Sequence, residues 1–252
     1  MTSPRLDGFY RLLTFAELDS TNEEAKRQAA AGAAEGTIVW AGAQTAGRGR
    51  RGRSFVSPPG NLYMSILLRP DCRASLGAQL SFAAALAVGE AALPLLPDGV
   101  HLAYKWPNDV LVDGRKISGI LLESHATSEA RLDWLVVGIG INVATYPEAN
   151  VETPAISLQA AGAGGVTVVA MLEAVAERFR FWYERWLEDG FAPLRLAWLG
   201  RARGLGGPVR VRLQDREMHG RFAGLDDDGA LLLDEGAAQR RVTAGEIFPE
   251  GR

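Results

Sequence analysis

Residues 100–125, VHLAYKWPNDVLVDGRKISGILLESH, predict the centre of the fold. Within them, Asp113-Gly114 is a turn signal between the apolar runs VLV and KISGILLE, which predicts a β-hairpin. A third strand-like run, LDWLVVGIGINV at 132–143, follows after a short link. Three successive strands joined by short links indicate an antiparallel meander at the centre of an α+β domain.

The elements around this meander follow from apolar runs and from helical spacing of apolar residues. Strand-like runs lie at 37–43 and 62–68, and helices are expected at 76–93 and 168–189. The whole pattern predicts an α+β fold in which a central mixed, mainly antiparallel sheet is flanked by helices. The aromatic residues of the last helix fall at core positions, so they indicate packing rather than cofactor binding.

A further helix is predicted to begin at Ser20. This residue lies three positions before Glu23, which is a capping-box pattern, and Gly32 is a stop signal. The simplest interpretation of Ser20, Thr21 and Asn22 is therefore a helix cap. An exposed helix N-terminus with spare hydroxyl and amide groups also suits an anionic ligand, so the two interpretations are compatible.

The sequence changes character at residues 205–208, LGGP, after which short strand-like runs alternate with turn signals. We therefore place a boundary near 201–207, with a main domain at 1–203 and a small C-terminal domain at 204–252. The small domain is predicted to be an SH3-like β-barrel. About 45 residues is marginal for an independent core, so this barrel should dock on the main domain.

The composition limits the class of protein. The chain has 252 residues, 47% of them hydrophobic, and a formal net charge of −3, which does not suit a surface that coats nucleic acid. Its single cysteine, Cys72, excludes internal disulfides and cysteine-based metal clusters. The N-terminus lacks a signal pattern and no run approaches the roughly 18 apolar residues of a membrane span. We therefore expect a cytoplasmic protein with no membrane partner.

A strongly basic segment, QTAGRGRRGR at 44–53, separates two of the predicted strands. No Asp or Glu occurs between Glu35 and Asp71 to neutralise its four arginines. Glycine lets backbone N–H groups approach an anion closely while guanidinium groups surround it, so the segment predicts a phosphate clamp. It has little apolar surface to bury, and we expect a loop that is mobile until a ligand binds.

This loop has three other interpretations. A nucleic-acid tail is a common use of Arg/Gly runs, but such tails usually lie at chain ends. Residues 47–54 also fit the P-loop spacing with Arg53 in place of lysine, but Pro58 and Pro59 prevent the helix that a P-loop must open. A solvated basic loop is the third interpretation, and the density of arginine and glycine disfavours it.

Four motifs occur in order along the chain: STNEEA (20–25), QTAGRGRRGR (44–53), KWPNDVLVDGRKISGILLE (105–123) and GIGIN (138–142). Together they closely resemble the biotin protein ligases over roughly residues 12–200, and the terminal barrel matches the usual tail of that family. Repressor members of the family carry an N-terminal DNA-binding winged helix, for which this sequence has no room. The resemblance is therefore to the monofunctional type, and it implies no DNA partner.

The resemblance implies a two-step reaction. The carboxylate of biotin attacks the α-phosphate of ATP to give biotinyl-5'-AMP and pyrophosphate, and a lysine of a biotin carboxyl carrier protein then takes the biotinyl group. The expected metal is Mg²⁺ that arrives with ATP and is held mostly by phosphates. A homodimer is left open. The alternatives are a lipoate or octanoate protein ligase, which resembles this fold without the GRGRRGR run, and a nucleic-acid-binding module that uses the Arg/Gly loop.

The same resemblance assigns site residues. Lys116 and Arg50 are the expected catalytic residues, because the first step brings a carboxylate toward a triphosphate and needs cationic screening. The expected biotin-binding residues are Ser20, Thr21, Asn22, Gln44, Arg48, Gly49, Arg50, Lys116 and Gly119. The expected nucleotide-binding residues are Gly47, Arg48, Arg53, Lys105, Asn108, Asp109 and Asn142, the last four with nucleotide, metal and loop-support roles left open. Phe55 stands where family members often have tryptophan.

Overall fold

The computed structural model describes residues 4–148 and 153–250; the remaining residues of the two predicted domains, at both chain ends and at 149–152, lie outside it. Its main sheet has seven strands in the order β1-β2-β3-β7-β6-β5-β4. These strands are β1 Arg11–Leu18, β2 Thr37–Gln44, β3 Leu62–Leu68, β4 Leu102–Lys105, β5 Asp109–Val112, β6 Arg115–Ala126 and β7 Leu132–Ile141.

The predicted meander forms the middle of this sheet. β5, β6 and β7 pair antiparallel in succession, as expected. Asp113 and Gly114 connect β5 to β6 with φ values of 47° and 75°, the left-handed values that a tight hairpin turn needs. β1 pairs parallel with β2, so the sheet is mixed and mainly antiparallel. The predicted α+β fold class is confirmed.

Helices cover both faces of the sheet. In the described residues they are α1 Thr21–Ala30, α2 Leu80–Ala92, α3 Val168–Asp189 and α4 Ala192–Leu199. Helix α1 packs on one face over a small apolar cluster of Ala25, Ala29, Val39, Leu67 and Val136. Helices α2, α3 and α4 pack on the other face, over the larger core. The alternation of side chains along each strand assigns neighbouring residues to these two cores.

Helix α1 begins where the sequence predicts, but its cap differs from the prediction. The Ser20 side chain makes no capping hydrogen bond. Instead, Gln44 Oε1 at the end of β2 accepts the Thr21 backbone N–H at 2.8 Å. The first turn of α1 is therefore satisfied from a neighbouring strand, which a local capping pattern cannot indicate.

The predicted helix at 76–93 is split. A 3₁₀ segment, Ala74–Gln79, precedes α2, and a second one, Leu93–Leu95, contains Pro94. By length and composition Ala74–Leu95 could cross a membrane, which corrects the statement that no run approaches such a span. Most of it is buried inside the protein, where α2 contacts α3 and α4. We therefore assign it as the central core helix.

Helix α3 has the bounds that its sequence predicts. Thr167 caps it, because its side chain accepts the Ala170 N–H, and Gly190 ends it with a φ of 73°. Phe179, Trp182 and Trp186 are buried in the core, as expected from their spacing.

The C-terminal residues form a five-stranded antiparallel sheet in the order β11-β10-β9-β8-β12. Its strands are β8 Pro208–Arg212, β9 Glu217–Leu225, β10 Leu231–Asp234, β11 Gln239–Val242 and β12 Glu246–Pro249. This sheet docks on the main domain: Trp106 Nε1 donates to the Gly229 carbonyl at 3.1 Å, and Gln79 Nε2 donates to the Asp227 carbonyl at 3.2 Å. Trp106 belongs to the KWPND motif, so the docking contact lies next to the candidate site.

Candidate active site

The candidate site is a cavity of about 610 Å³ on the α1 face of the main sheet. Its floor consists of two rows of paired residues that cross β3, β7 and β6. One row is Tyr63, Gly140 and Gly119, and the other is Gly138 and Leu121 together with Ser65, which is fully buried and does not itself line the cavity. Paired residues project to the same side of a sheet, so glycines in both rows leave a hollow in the sheet surface.

The glycines of this floor have no room for side chains. A Cβ atom on Gly138 would lie 2.0 Å from Asn22 Oδ1, and one on Gly140 would lie 2.7 Å from the Phe55 ring. A Cβ on Gly119 would lie 3.0 Å from Lys116 Nζ. Each glycine therefore lets another site residue approach the sheet closely.

One end of the cavity is polar and lies at the N-terminus of α1. Ser20, Thr21 and Asn22 line it and are buried. Ser65 Oγ, below them on β3, lies 2.8 Å from Thr21 Oγ1 and 2.6 Å from Asn22 Oδ1. Gln44 accepts from Thr21, as described above. These groups form a connected hydrogen-bond chain that can pair with a small polar ring.

A β-bulge directs Lys116 into the other end of the cavity. Val110 pairs with Ser118 but Leu111 pairs with Lys116, so Ile117 is the extra residue on β6. Strict alternation would place Lys116 and Gly119 on opposite faces of the strand. The bulge brings both to the cavity face and leaves Ile117 and Ser118 buried.

Lys116 lies in a charged cluster. Its Nζ is 2.5 Å from Asp109 Oδ1, and Lys105 Nζ is 4.0 Å from Asp109 Oδ2. Lys105 is buried, donates to Thr153 Oγ1 at 2.8 Å, and lies over the Phe248 ring at 4.5 Å from its centroid. Two ammonium groups therefore lie beside one carboxylate at this end of the cavity, which suits an anionic reactant.

The Arg/Gly segment folds as a short hairpin over the cavity. The Phe55 N–H donates to the Gly47 carbonyl at 2.8 Å, and the Gly49 N–H donates to the Arg53 carbonyl at 2.7 Å. The tip is a 3₁₀ turn, Arg50–Gly52, with Arg51 at a φ of 57°. The expectation that this loop is mobile without ligand stays a prediction.

The loop arginines point to different partners. Arg50 Nη1 donates to Asn108 Oδ1 at 3.2 Å and to the Gly245 carbonyl at 3.4 Å. Arg53 pairs with Glu246 at 2.8 Å, whereas Arg48 pairs with Glu23 on α1. The loop is therefore tied both to helix α1 and to the C-terminal sheet.

Burial shifts the pKa values of two side chains that line the cavity, Arg50 and Tyr63. Burial lowers the pKa of Arg50, and the positive charges of Arg51 and Arg53 lower it further, while Glu246 acts in the opposite direction. Burial raises the pKa of Tyr63 to about 12, so its phenol is neutral at pH 7. The Tyr63 hydroxyl donates to the Pro58 carbonyl at 2.8 Å, which holds the end of the loop.

Asn142 and Asn108, two of the predicted nucleotide-binding residues, donate hydrogen bonds to backbone carbonyls of β6, the strand that carries Lys116. Asn142 is buried, and its Nδ2 donates to the carbonyls of Lys116 and Ile156, at 3.2 Å in both cases. Asn108 Nδ2 donates to the Ile120 carbonyl at 2.6 Å. In this geometry both side chains support β6, one of the open roles given to them above.

Every predicted site residue except Gly47 lines the cavity, so the structure brings the four motifs together. Gly47 lies at the loop base, where a Cβ would be 2.3 Å from the Phe55 carbonyl oxygen. Sequence reasoning missed several residues of the site: Phe55 as a lining residue, Tyr63, Ser65, Gly138, Gly140 and Glu246. The two glycines of GIGIN are spaced by two on a predicted strand, so they lie on the same face of it, and this spacing is a sequence signal for an open position on that face.

Within the part of the chain that the structure describes, the acidic groups that line the cavity are Asp109 and Glu246. Among the described residues, no group of three or more His, Cys, Asp or Glu side chains is arranged to hold a metal ion. One or two carboxylates suit a Mg²⁺ ion whose other ligands are phosphate oxygens and water.

Comparison with known proteins gives the family. Residues 15–142 match the biotin/lipoate A/B protein ligase family, and residues 204–248 match the biotin protein ligase C-terminal domain. The biotin–[acetyl-CoA-carboxylase] ligase of Paracoccus denitrificans is 43% identical over 92% of this chain and 98% of its own. The bifunctional ligase/repressor of Bacillus subtilis is 35% identical over 91% of this chain and 71% of its own length.

Solved structures agree with these sequence relatives. The biotin protein ligase from Aquifex aeolicus in complex with biotin and ATP has a TM-score of 0.78 at 30% identity, covering 95% of this chain and 98% of its own. The match includes both the seven-stranded sheet and the C-terminal sheet. By sequence and by fold, the chain belongs to the biotin/lipoate A/B protein ligase family.

Proposed function

We propose that this protein is a biotin–[biotin carboxyl-carrier protein] ligase, which activates biotin with ATP as biotinyl-5'-AMP and transfers it to a lysine of a carrier protein. One observation carries this proposal. The same cavity has a polar hydrogen-bond chain at one end and Lys116 with Arg50 at the other. Relatives named as biotin ligases, and the Aquifex structure with biotin and ATP, support it.

The polar end of the cavity suits the ureido ring of biotin. That ring has one carbonyl and two N–H groups, which need partners once they are buried. Thr21 and Asn22 present hydroxyl and amide groups there, next to Ser20. The cavity of about 610 Å³ has space for the bicyclic body of biotin, and the carboxylate tail of biotin would extend toward Lys116.

The charged end suits adenylate formation. Carboxylate and triphosphate repel each other, so the rate depends on holding them together and on screening their charges. Lys116 is positioned to neutralise charge between the biotin carboxylate and the α-phosphate, and Arg50 closes the loop over the same region. Asp109 holds the Lys116 ammonium in place through the 2.5 Å contact.

A Mg²⁺ ion that enters with ATP would be held mostly by phosphate oxygens and water, because Asp109 is paired with Lys116 and Glu246 with Arg53. When bound, it neutralises phosphate charge. We propose that Lys105, Asn108 and Asn142 hold the charged end of the cavity in place through the contacts described above.

The partner in the second step is a biotin carboxyl carrier protein domain, whose lysine amine attacks the mixed anhydride. We propose that residues 1–203 form the catalytic domain and that 204–252 form the small module that docks on it. The reaction is proposed to take place in the cytoplasm, where ATP and the carrier protein are available.

Pyrophosphate exchange with biotin, lipoate and octanoate tests the function directly. We expect biotin-dependent exchange of labelled pyrophosphate into ATP, and exchange at least about 100-fold slower with lipoate or octanoate, because buried ureido partners left unpaired are costly. Exchange that prefers lipoate or octanoate would favour the related lipoate-type activity. Steeply salt-dependent binding to DNA without any exchange would favour the nucleic-acid module.

Gly138→Ala is expected to weaken biotin binding by roughly 10-fold, because the new methyl group would displace the Asn22 side chain and such overpacking typically costs 1–3 kcal/mol. The Asn22 oxygen lies 2.0 Å from the site of that methyl group. Isothermal titration with biotin measures the effect. Gly165→Ala is the matched control, since nothing lies within 4 Å of a Cβ there. Equal biotin affinity in Gly138→Ala and the parent would contradict the placement of Asn22.

A further inference from the structure

Asn22 has its amide orientation fixed by the groups on one side of it. Its Nδ2 lies 2.9 Å from Glu123 Oε2 and 3.3 Å from the Leu121 carbonyl oxygen. A carboxylate and a carbonyl can only accept hydrogen bonds, so both require the NH₂ group on that side. Asn22 Oδ1 must therefore face the opposite way, toward Ser65 Oγ and the glycine floor at Gly138.

Glu123 reaches Asn22 because of its register on β6. Gly119, Leu121 and Glu123 alternate onto the cavity face, and Glu123 pairs with Val136 in the row directly below α1. The strand thus carries the floor of the cavity and, two residues further, a carboxylate outside the cavity lining. Glu123 touches the proposed ligand position only through Asn22.

The carboxylate of Glu123 is kept ionised by its neighbours. Burial opposes its ionisation, but hydrogen bonds from Asn22 and Lys26 and the charges of Lys26 and Arg48 hold its pKa below the usual value. Lys26 Nζ lies 3.0 Å from Glu123 Oε1, and Arg48 Nη1 lies 4.0 Å from the same oxygen. A half-buried carboxylate with these partners remains an acceptor at neutral pH.

We propose that Glu123 is a positioning residue for biotin recognition: it fixes the Asn22 amide so that an oxygen, and not an NH₂ group, faces the cavity. This inference rests on the proposed function, because the matching ligand group is a ureido N–H. The oxygen is the correct partner for such a donor, whereas a reversed amide would place an N–H against an N–H. Glu123 thereby sets the polarity of the recognition site without contacting the ligand.

Glu123→Gln tests the proposal, because the glutamine has nearly the same shape but carries its own NH₂ group. Its amide can turn its NH₂ toward Asn22, which leaves the longer 3.3 Å contact with the Leu121 carbonyl as the remaining acceptor on that side and so weakens the preference for the observed Asn22 orientation. We expect the Kd and the KM for biotin to rise about 10-fold, in line with loss of one good hydrogen bond to a buried partner. The KM for ATP and kcat at saturating biotin should stay within about 2-fold, a split that general unfolding would not produce.

Glu23→Gln is the matched control. Glu23 shares the partners Lys26 and Arg48 with Glu123, but the described hydrogen bonds of the Asn22 side chain go to Leu121, Glu123 and Ser65 and not to Glu23. We expect its biotin Kd to stay within about 2-fold of the parent, because Glu23→Gln keeps the shape of the side chain and partly buried ion pairs at the surface contribute little. Glu123→Asp, which keeps an acceptor-only carboxylate, should recover part of the affinity that Glu123→Gln loses.

A double-mutant cycle with Asn22→Ala decides whether Glu123 acts through Asn22. In the Asn22→Ala background, Glu123→Gln should change biotin Kd by less than about 2-fold, because the amide to be oriented is gone. An equal loss in both backgrounds, or unchanged biotin affinity in folded Glu123→Gln, would overturn the proposal. If the parent itself binds no biotin, the proposed function fails instead, so the two failures are distinguishable.

Discussion

Lys116→Ala is expected to slow biotinyl-adenylate formation by about 100-fold or more, because one positioned charge donor is commonly worth that much in rate. The Lys116 ammonium lies at the charged end of the cavity, and the bulge at Ile117 fixes its direction. Removing it leaves Asp109 with Lys105 at 4.0 Å and takes a positive charge away from the position of the two anionic reactants. Single-turnover adenylate formation with saturating biotin and ATP measures the change.

Two variants separate charge from position in this test. Arg115→Ala alters the exposed neighbour on the same strand and should leave the rate within about 2-fold, as exposed substitutions usually do. Lys116→Arg keeps the charge but replaces a compact ammonium by a wide planar group, so we expect it to recover only part of the rate. Adenylate formation at the parent rate in folded Lys116→Ala would remove this residue from the catalytic assignment.

The direction of Lys116 is also the clearest limit of the sequence analysis. The hairpin itself was predictable, because a two-residue turn and alternating apolar runs are local signals. Strict alternation, however, places Lys116 and Gly119 on opposite faces. The bulge that brings them together depends on pairing between β5 and β6, and a single sequence does not reveal such pairing. Motif resemblance identified Lys116, and the structure supplies the reason that it can reach the cavity.

Long-range contacts account for the other differences. The capping box at Ser20 is a local pattern, but the Thr21 N–H is satisfied by Gln44, 23 residues away. The sequence did not single out Ser65 or Glu123 as site residues, because their importance comes from packing against α1. Such contacts depend on the strand order β3-β7-β6, which a local pattern does not encode.

The ion-pair partners of the arginines in the Arg/Gly loop were likewise not predictable from the sequence. Sequence reasoning treated Arg48, Arg50 and Arg53 as one phosphate clamp. In the structure Arg48 pairs with Glu23, while Arg50 and Arg53 contact residues of the KWPND motif and the C-terminal sheet. Composition predicts a local cationic loop, but it does not predict the direction of each guanidinium group.

Arg50→Gly is expected to separate the two half-reactions. Several cations surround the triphosphate during the first step, so loss of one should slow adenylate formation without abolishing it. After pyrophosphate leaves, the adenylate keeps one phosphate charge, and each remaining loop contact carries a larger share of its retention. Arg50 joins the loop to Asn108 and to the Gly245 carbonyl, and glycine removes both contacts. We therefore expect the adenylate to dissociate about 10-fold faster or more, as for loss of a charge-assisted contact.

The measurements follow the adenylate after it forms. The variant is incubated with biotin, ATP and an unrelated lysine-rich protein, and both bystander labelling and the dissociation rate of preformed adenylate are recorded. Hydrogen exchange of residues 47–55 with biotin and ATP reports loop closure in parallel. We expect the parent to protect this segment and to label mainly its carrier protein, and Arg50→Gly to lose protection and label bystanders.

Arg51→Gly is the control that isolates the lost contacts from the added backbone freedom. Arg51 is the exposed neighbour in the same turn, and its φ of 57° is a conformation that glycine adopts without strain. The control should therefore retain adenylate nearly as well as the parent. Equal leakage from both variants would mean that loop flexibility governs retention. An Arg50→Gly variant that leaks no faster than the parent would show that other groups of the cavity hold the adenylate, with Lys116 the first to be tested.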